Sequence, residues 1–204
     1  MKKLLCLFIL CLSCYLSYAQ ADRTNNAVIR VNYNTNIYNS YSTRIGHNYT
    51  PGFAIDLGAK QFLVKDKGWF LEEVPSFLFN DLPFAKSSRE REKTVMPYSR
   101  LRELGAGASV VFGYDFLVGE NSSIAVFAGP DFRYIFQYYP TGGYKGDPDY
   151  RLHKGNLRVR FGAAYNYNKL NINLFISPDL LDRGLGIKRY RTVQVGLGIG
   201  YYFK

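Results

Sequence analysis

The sequence predicts an all-β fold, an eight-stranded antiparallel up-and-down transmembrane β-barrel with short periplasmic turns and long extracellular loops. Three observations carry that expectation. The closing stretch, residues 192–203, places Val193, Val195, Leu197, Ile199, Tyr201 and Phe203 on one face and Gln194, Gly196, Gly198, Gly200 and Tyr202 on the other. Successive strand side chains point to opposite sides, so an apolar stripe backs onto a small and polar one. A strand that closes a membrane barrel needs that shape, whereas a soluble edge strand with the same stripe invites aggregation. Several further segments repeat the alternation over about ten residues, the length a tilted strand needs to cross hydrocarbon. The connections alternate between short and long, as they do in outer-membrane barrels.

The first strand is expected at 28–38 and the second at 53–64, with Lys65-Asp66-Lys67 leading into the third at 68–80. The third is the least regular: Glu72 and Glu73 are adjacent and Pro75 interrupts the run, which predicts a bulge. The fourth, 104–117, meets the fifth, 124–138, around Gly119-Glu120-Asn121. The sixth, 156–167, sets Leu157, Val159, Phe161, Ala163, Tyr165 and Tyr167 against Asn156, Arg158, Arg160, Gly162, Ala164 and Asn166. It turns at Asn168 into the seventh, 169–177, and the eighth is 192–203. The long connections, 39–52, 81–103, 139–155 and 178–191, then fall outside the cell if both termini are periplasmic. Aromatics cluster at both levels: Trp69, Tyr114/Phe116, Tyr165/Tyr167 and Tyr201/Phe203 at the periplasmic one, Phe77/Phe79 and Tyr134/Phe136 at the outer one. The alternative is a soluble barrel with a small-molecule cavity. Polar faces made of glycine and charge would give such a barrel a poor core.

Residues 1–19 read as a signal peptide. Lys2 and Lys3 form its basic start, residues 4–12 its apolar centre, and Ser17-Tyr18-Ala19 supplies the small residues before cleavage at Gln20. Cys14 makes a poor lipidation site, because Cys11-Leu12-Ser13 is not a good lipobox. All three cysteines, Cys6, Cys11 and Cys14, lie in this leader, so the mature chain 20–204 has no disulfide framework and no thiol chemistry. It holds no apolar run long enough for a transmembrane helix, so a membrane role would use strands or surface contact. The 26 Lys+Arg exceed the 16 Asp+Glu, and losing Lys2 and Lys3 takes the net charge from +10 to +8. A basic exported protein has anionic lipid, polysaccharide or nucleic acid as possible partners, and charge alone does not choose among them.

In their order and spacing, several segments resemble the PorT-like outer-membrane β-barrel domain family over most of the mature chain. They are Pro51-Gly-Phe-Ala-Ile-Asp-Leu-Gly58, Trp69-Phe-Leu-Glu-Glu-Val-Pro75 and Phe127-Ala-Gly-Pro-Asp-Phe-Arg-Tyr134. Phe161-Gly-Ala-Ala-Tyr165, Leu170-Asn-Ile-Asn-Leu174 and Gly196-Leu-Gly-Ile-Gly-Tyr-Tyr-Phe203 complete the series. The resemblance implies a small eight-stranded barrel in the outer membrane of a Gram-negative-type bacterium, inserted by the barrel-assembly machinery after Sec-type export. It implies no single activity, although one relative takes part in protein secretion; fold is not function.

The polar faces carry the first candidate site. Arg30, Lys60, Arg133, Arg158 and Arg160 are cationic there; Asp56, Asp115, Asp131 and one of Glu72 or Glu73 are anionic. An isolated buried ion is costly, so these charges are expected to pair into a structural plug. Eight strands enclose room for little more than side chains. A gated ion path, making the barrel a narrow pore for small solutes, is the alternative use of the same residues.

The loops carry the second. His47 and His153 lie in expected outer loops near Ser42 and Asp149, without a nucleophile–base arrangement, so a lipid-A-modifying enzyme is a second alternative and catalysis is not expected. Two separate histidines do not make a metal site, and no cofactor is expected. Gly105-Ala-Gly-Ala-Ser-Val110 lacks the third glycine and the strand–helix context of a dinucleotide site, and no nucleic-acid motif occurs. By charge the four loops hold about +6 of the mature +8. Arg100, Arg102, Lys188, Arg189 and Arg191, beside strand ends, are therefore expected to meet lipopolysaccharide phosphate. The mixed run 86–93 would extend farther out, and the aromatic segment 139–150 suits a protein partner. The function expected is a non-catalytic outer-membrane barrel, acting in surface interaction or as an accessory to envelope assembly and secretion.

Overall fold

The computed structural model describes residues 26–39, 49–63, 68–83, 100–141, 154–182 and 191–203, with the backbone alone at 38–39, 49–50, 82–83, 100–101 and 140–141. The expected leader, both histidines and the run 86–93 lie outside the described residues. Eight strands follow in order: β1 Asn26–Asn39, β2 Tyr49–Phe62, β3 Trp69–Pro83, β4 Arg100–Gly119, β5 Ser122–Thr141, β6 Gly155–Tyr167, β7 Leu170–Pro178 and β8 Arg191–Phe203. Each pairs antiparallel with the next, and β8 returns to β1, so the sheet closes into a barrel with no free edge. Stepping from Gln61 through Leu71, Phe112, Ala128, Phe161, Ile176, Val195 and Thr35 returns to β2 at Pro51, ten residues along the strand. That stagger tilts the strands by roughly 40° and fixes a bore that side chains fill.

One end of the barrel carries tight turns, the start of β1 and the end of β8; the other carries the strand ends that the long connections join. At the turn end Glu120-Asn121 link Gly119 to Ser122, and Asn168-Lys169 link Tyr167 to Leu170. Asn168 has φ 51°, a left-handed conformation that asparagine tolerates and two-residue hairpins require. Gly68 has φ 67° and packs so close to the Asp115 carbonyl that a methyl group would collide with it. At the loop end the strands run farther than expected. β4 and β5 each span 20 residues, paired as far as Arg100 with Thr141, so Arg100 and Arg102 belong to a strand.

Two prolines leave local marks. Pro75 has no N–H, and the β2–β3 pairing skips from Asp56–Ser76 to Ala59–Glu73 while β3–β4 runs through without a break. Pro130 does the same between β4 and β5, where pairing skips from Ser109–Asp131 to Phe112–Ala128. The bulge expected in β3 is therefore only a gap in hydrogen bonding, with no change of register, because the intact ladder to β4 holds the strand in line. A register shift does occur on β5, where Leu104 faces Gln137 but Gly105 faces Ile135, leaving Phe136 as the extra residue.

Exposure is inverted relative to a soluble protein. Val31, Leu174 and Ile199 are 57%, 57% and 60% exposed, whereas Asn32, Asn173 and Gln194 are at 0–1%. The exposed aromatics gather at two levels. Trp69 stacks on Phe112 at 5.0 Å and meets Tyr114 edge-on at the turn end, with Tyr201 against Phe203; Phe77, Phe79, Tyr134 and Phe136 form the level nearer the loops. Inside, small apolar clusters cap the polar middle: Phe70, Ala125 and Ala164 with Phe62 and Phe127 toward the turns, and Ala54, Leu78 and Ile135 with Tyr138 toward the loops.

Candidate functional site: the charged lumen

Inward-facing side chains of every strand meet in the bore, and five ion pairs climb it from the turn end to the loop end. Lowest is Lys60 with Asp115, the ammonium also lying 4.9 Å and 4.2 Å above the rings of Phe62 and Phe70. Next, Arg30 pairs with Glu72 at 2.5 Å, and its Nε donates to Asn171 Oδ1 at 2.6 Å. Asn171 donates in turn to Asn166, and Asn166 to Ser123, so the network reaches the turn-end mouth. At mid-height Arg160 Nη2 donates to Asp56 at 3.0 Å and Nη1 to Ser109 Oγ at 3.3 Å, with the guanidinium 3.9 Å over the Phe175 ring. β6 and β2 stand on opposite sides of the barrel, so this pair braces the bore across its width. Above it Asp131 accepts from Arg133 Nε at 3.1 Å and from Ser177 Oγ at 3.0 Å.

Highest is Arg158, whose fork is engaged on three sides. Its Nε donates to Asp179 Oδ1 at 2.5 Å, Nη2 to Thr192 Oγ1 at 2.7 Å and Nη1 to Gln194 Oε1 at 3.3 Å. Thr192 passes its own hydroxyl and backbone N–H to Asp179 Oδ2, both at 2.7 Å. Nearby, Asn36 donates to Asn80 and Asn80 to Glu103. The glycines of β8 make room for this filling: at Gly198 a methyl group would run into the amide oxygens of both Asn32 and Asn173.

The lumen charges expected from sequence, with one of the adjacent pair Glu72 and Glu73, face inward: Arg30, Asp56, Lys60, Glu72, Asp115, Asp131, Arg133, Arg158 and Arg160. Of that pair it is Glu73 that stands exposed on the outer wall, because the unbroken β3–β4 register puts Glu72 inward beside Val74 and Ser76. Arg158 does not pair with any acid expected for it. Its partner Asp179 was expected in a loop, but β7 continues past Pro178 through a bridge to Arg158, and the inward parity of Asn171, Asn173, Phe175 and Ser177 carries on to Asp179. The same parity, followed back from Gly105 on β4, would have found Glu103. Among the described residues no group of three or more His, Cys, Asp or Glu side chains is placed to hold a metal ion.

Of the loop cations, Arg102 points outward 3.9 Å from Asp81, and Arg191 Nε donates to Asp182 at 2.9 Å; both guanidiniums are about half exposed. Only the backbone of Arg100 is described, and Lys188 and Arg189 lie outside the described residues. Two cavities complete the geometry. One of 220 Å³ opens at the turn-end mouth between Lys60, Asp115, Asn166 and Tyr202; another of 650 Å³ is an apolar groove on the outer wall along Trp69, Phe112, Ala128 and Phe161.

No protein-family model matches the chain, and no curated protein matches it. Among solved structures it is similar to Ail, the attachment invasion locus protein of Yersinia pestis, at 16% identity over 88% of this chain and 99% of that one, with a TM-score of 0.46. It is similar to neisserial surface protein A at 14% identity over 87% and 97%, with a TM-score of 0.49. It is also similar to the outer-membrane enzyme PagL at 9% identity over 83% and 97%, with a TM-score of 0.48. These are small outer-membrane barrels, and no assignment of function follows from likeness at this level.

Proposed function

We propose that the chain is a non-catalytic outer-membrane barrel of the PorT-like kind, which spans the bilayer with its eight strands and acts at the cell surface or in envelope assembly and secretion. The observation that carries the reading is the inversion of exposure. A wall of exposed Val, Ile, Leu and Phe between two aromatic levels suits hydrocarbon, while five ion pairs fill a bore too narrow for an open channel. The turn end is then periplasmic and the loop end extracellular. The lumen network is a structural plug, since each of its five cations has an acid within reach and the Arg160–Asp56 pair crosses the bore at mid-height. At the loop end Arg102 and Arg191 present half-exposed guanidiniums, and these are the groups that meet lipopolysaccharide phosphates, a role the sequence extends to Arg100, Lys188 and Arg189.

Two measurements test this reading. The mature protein is expected in the outer-membrane fraction, extractable only with detergent and migrating differently before and after heating. Planar-bilayer recordings of the purified barrel are expected to show no steady conductance. Release as a soluble periplasmic protein would contradict the membrane reading. Steady open-channel currents would replace the plug with the narrow-pore alternative.

A further inference from the structure

The charges of the lumen leave one flank to uncharged groups. On β7 the inward side chains are Asn171, Asn173, Phe175 and Ser177; on β8 they are Thr192, Gln194 and Tyr202, with Gly196, Gly198 and Gly200 between. On β1, Asn32, Asn34 and Asn36 follow above Arg30. Asn32 and Asn173 pair with Gly198 from its two sides, and their amide oxygens converge on it; Asn34 pairs with Gly196, and Gln194 with Ser177. Asn32, Asn34, Asn173 and Gln194 are all buried. Among the described residues, neither amide atom of Asn32, Asn34 or Asn173 has a hydrogen-bond partner, and nor does Gln194 Nε2. Turning one of the two amides over Gly198 would at best join Asn32 to Asn173, and would still leave a nitrogen and an oxygen unmet.

We propose that this flank holds a file of bound water, which runs past the ion pairs and lets the barrel pass water while it holds back ions. Buried polar groups in native proteins bond to protein or to ordered water. A ligand here must donate and accept alike, since nitrogens and oxygens are orphaned together. It must also be neutral: between Arg30 and Asp179 no inward residue of this flank is charged, so an ion would lose its hydration without a counter-charge. Water meets both conditions. The file has polar ends. Toward the turns it meets Asn171, which donates to Asn166, and Asn166 donates to Ser123 beside the 220 Å³ cavity at the mouth. Toward the loops it meets Gln194 and Asn36, from which Asn80 and Glu103 continue. Successive inward amides on β1 stand about 7 Å apart, a step that hydrogen-bonded water spans. The least polar level is that of Gly196, where Phe175 fills the β7 side under Arg160 and Asn34 supplies the polar atoms. Water passes there beside the Arg160–Asp56 pair, and hydrated ions are too wide to follow.

The inference rests on the membrane reading above, and vesicles separate the two. With the purified barrel folded into them, osmotic shrinkage followed by light scattering is expected to run severalfold faster than in protein-free vesicles of the same lipid, with no steady current in a planar bilayer. Asn32→Leu together with Asn173→Leu keeps the branched shape and removes the amides, and should return shrinkage to the lipid rate while heat-modifiable migration is retained. Should that variant fail to fold, NMR of the unaltered barrel in nanodiscs reads the same site: the side-chain amide protons of Asn32, Asn34 and Asn173 should show direct cross-relaxation with water. Shrinkage at the lipid rate by the folded, unaltered barrel, fast shrinkage that survives in the folded double variant, or buried amides that show no contact with water would overturn the water file alone. A steady current would overturn the plug with it, and a chain that never inserts would overturn the membrane reading.

Discussion

Val31 and Asn32 are chain neighbours on β1, yet one is 57% exposed and the other is fully buried. The outer wall and the lumen differ in this way on every strand, and they tolerate change under different rules. On the wall each apolar side chain acts almost alone, and its fitness depends on what it is made of. In the lumen each polar side chain depends on a partner from another strand, often distant in sequence: Arg160 and Asp56 are 104 residues apart. Composition therefore governs the wall and pairing governs the bore. Substitutions can break that distinction or sharpen it.

The largest effect is expected in the lumen. Removing one member of the buried Arg158–Asp179 pair strands the other, and Arg158→Ala or Asp179→Ala should each cost about 3–5 kcal/mol of folding stability. The double change to alanine should cost less than the sum of the two, measured as a double-mutant cycle by denaturant unfolding in vesicles. Additive losses would mean that the pair is not the unit. On the wall, Val31→Arg should cost about 2–4 kcal/mol near the bilayer midplane, whereas Val31→Leu should be close to neutral. The same vesicle assay checks this, and indifference to arginine would reverse the faces. A smaller lumen effect is expected at Gly198→Ala, where the added methyl displaces Asn32 and Asn173 at a cost of about 1–3 kcal/mol. The smallest effect on stability belongs to the loop end. Arg102→Glu should change it by at most about 1 kcal/mol, since the Asp81 contact is exposed. It should nevertheless weaken association with lipopolysaccharide micelles and reduce the salt sensitivity of that association.

The wall was legible in the sequence and the bore only partly so, for a physical reason. Alternation assigns each residue a face, which set Val195, Leu197 and Ile199 on one side of β8 and Gly196, Gly198 and Gly200 on the other, and composition then made the glycine side the lumen. Alternation does not say which inward residues touch, because contacts across a bore depend on stagger, and stagger depends on eight registers together. The adjacent acids Glu72 and Glu73 stayed unresolved because Pro75 left the count open, and only the β3–β4 ladder decides it. Asp179 was hidden by Pro178, which reads as the end of a strand, although one further bridge follows. The shift at Phe136 left no signal at all, since Tyr134-Ile-Phe-Gln-Tyr138 contains neither glycine nor proline.

The central claim is that the exposed apolar wall faces hydrocarbon, and Trp69 reports on it alone, as the chain's one tryptophan. It is 41% exposed on that wall and stacked on Phe112. With the barrel folded into vesicles, its fluorescence should be quenched strongly by lipids brominated along their acyl chains and only weakly by iodide in the aqueous phase. Strong quenching by iodide with none from the brominated chains would place the wall in water and contradict the account.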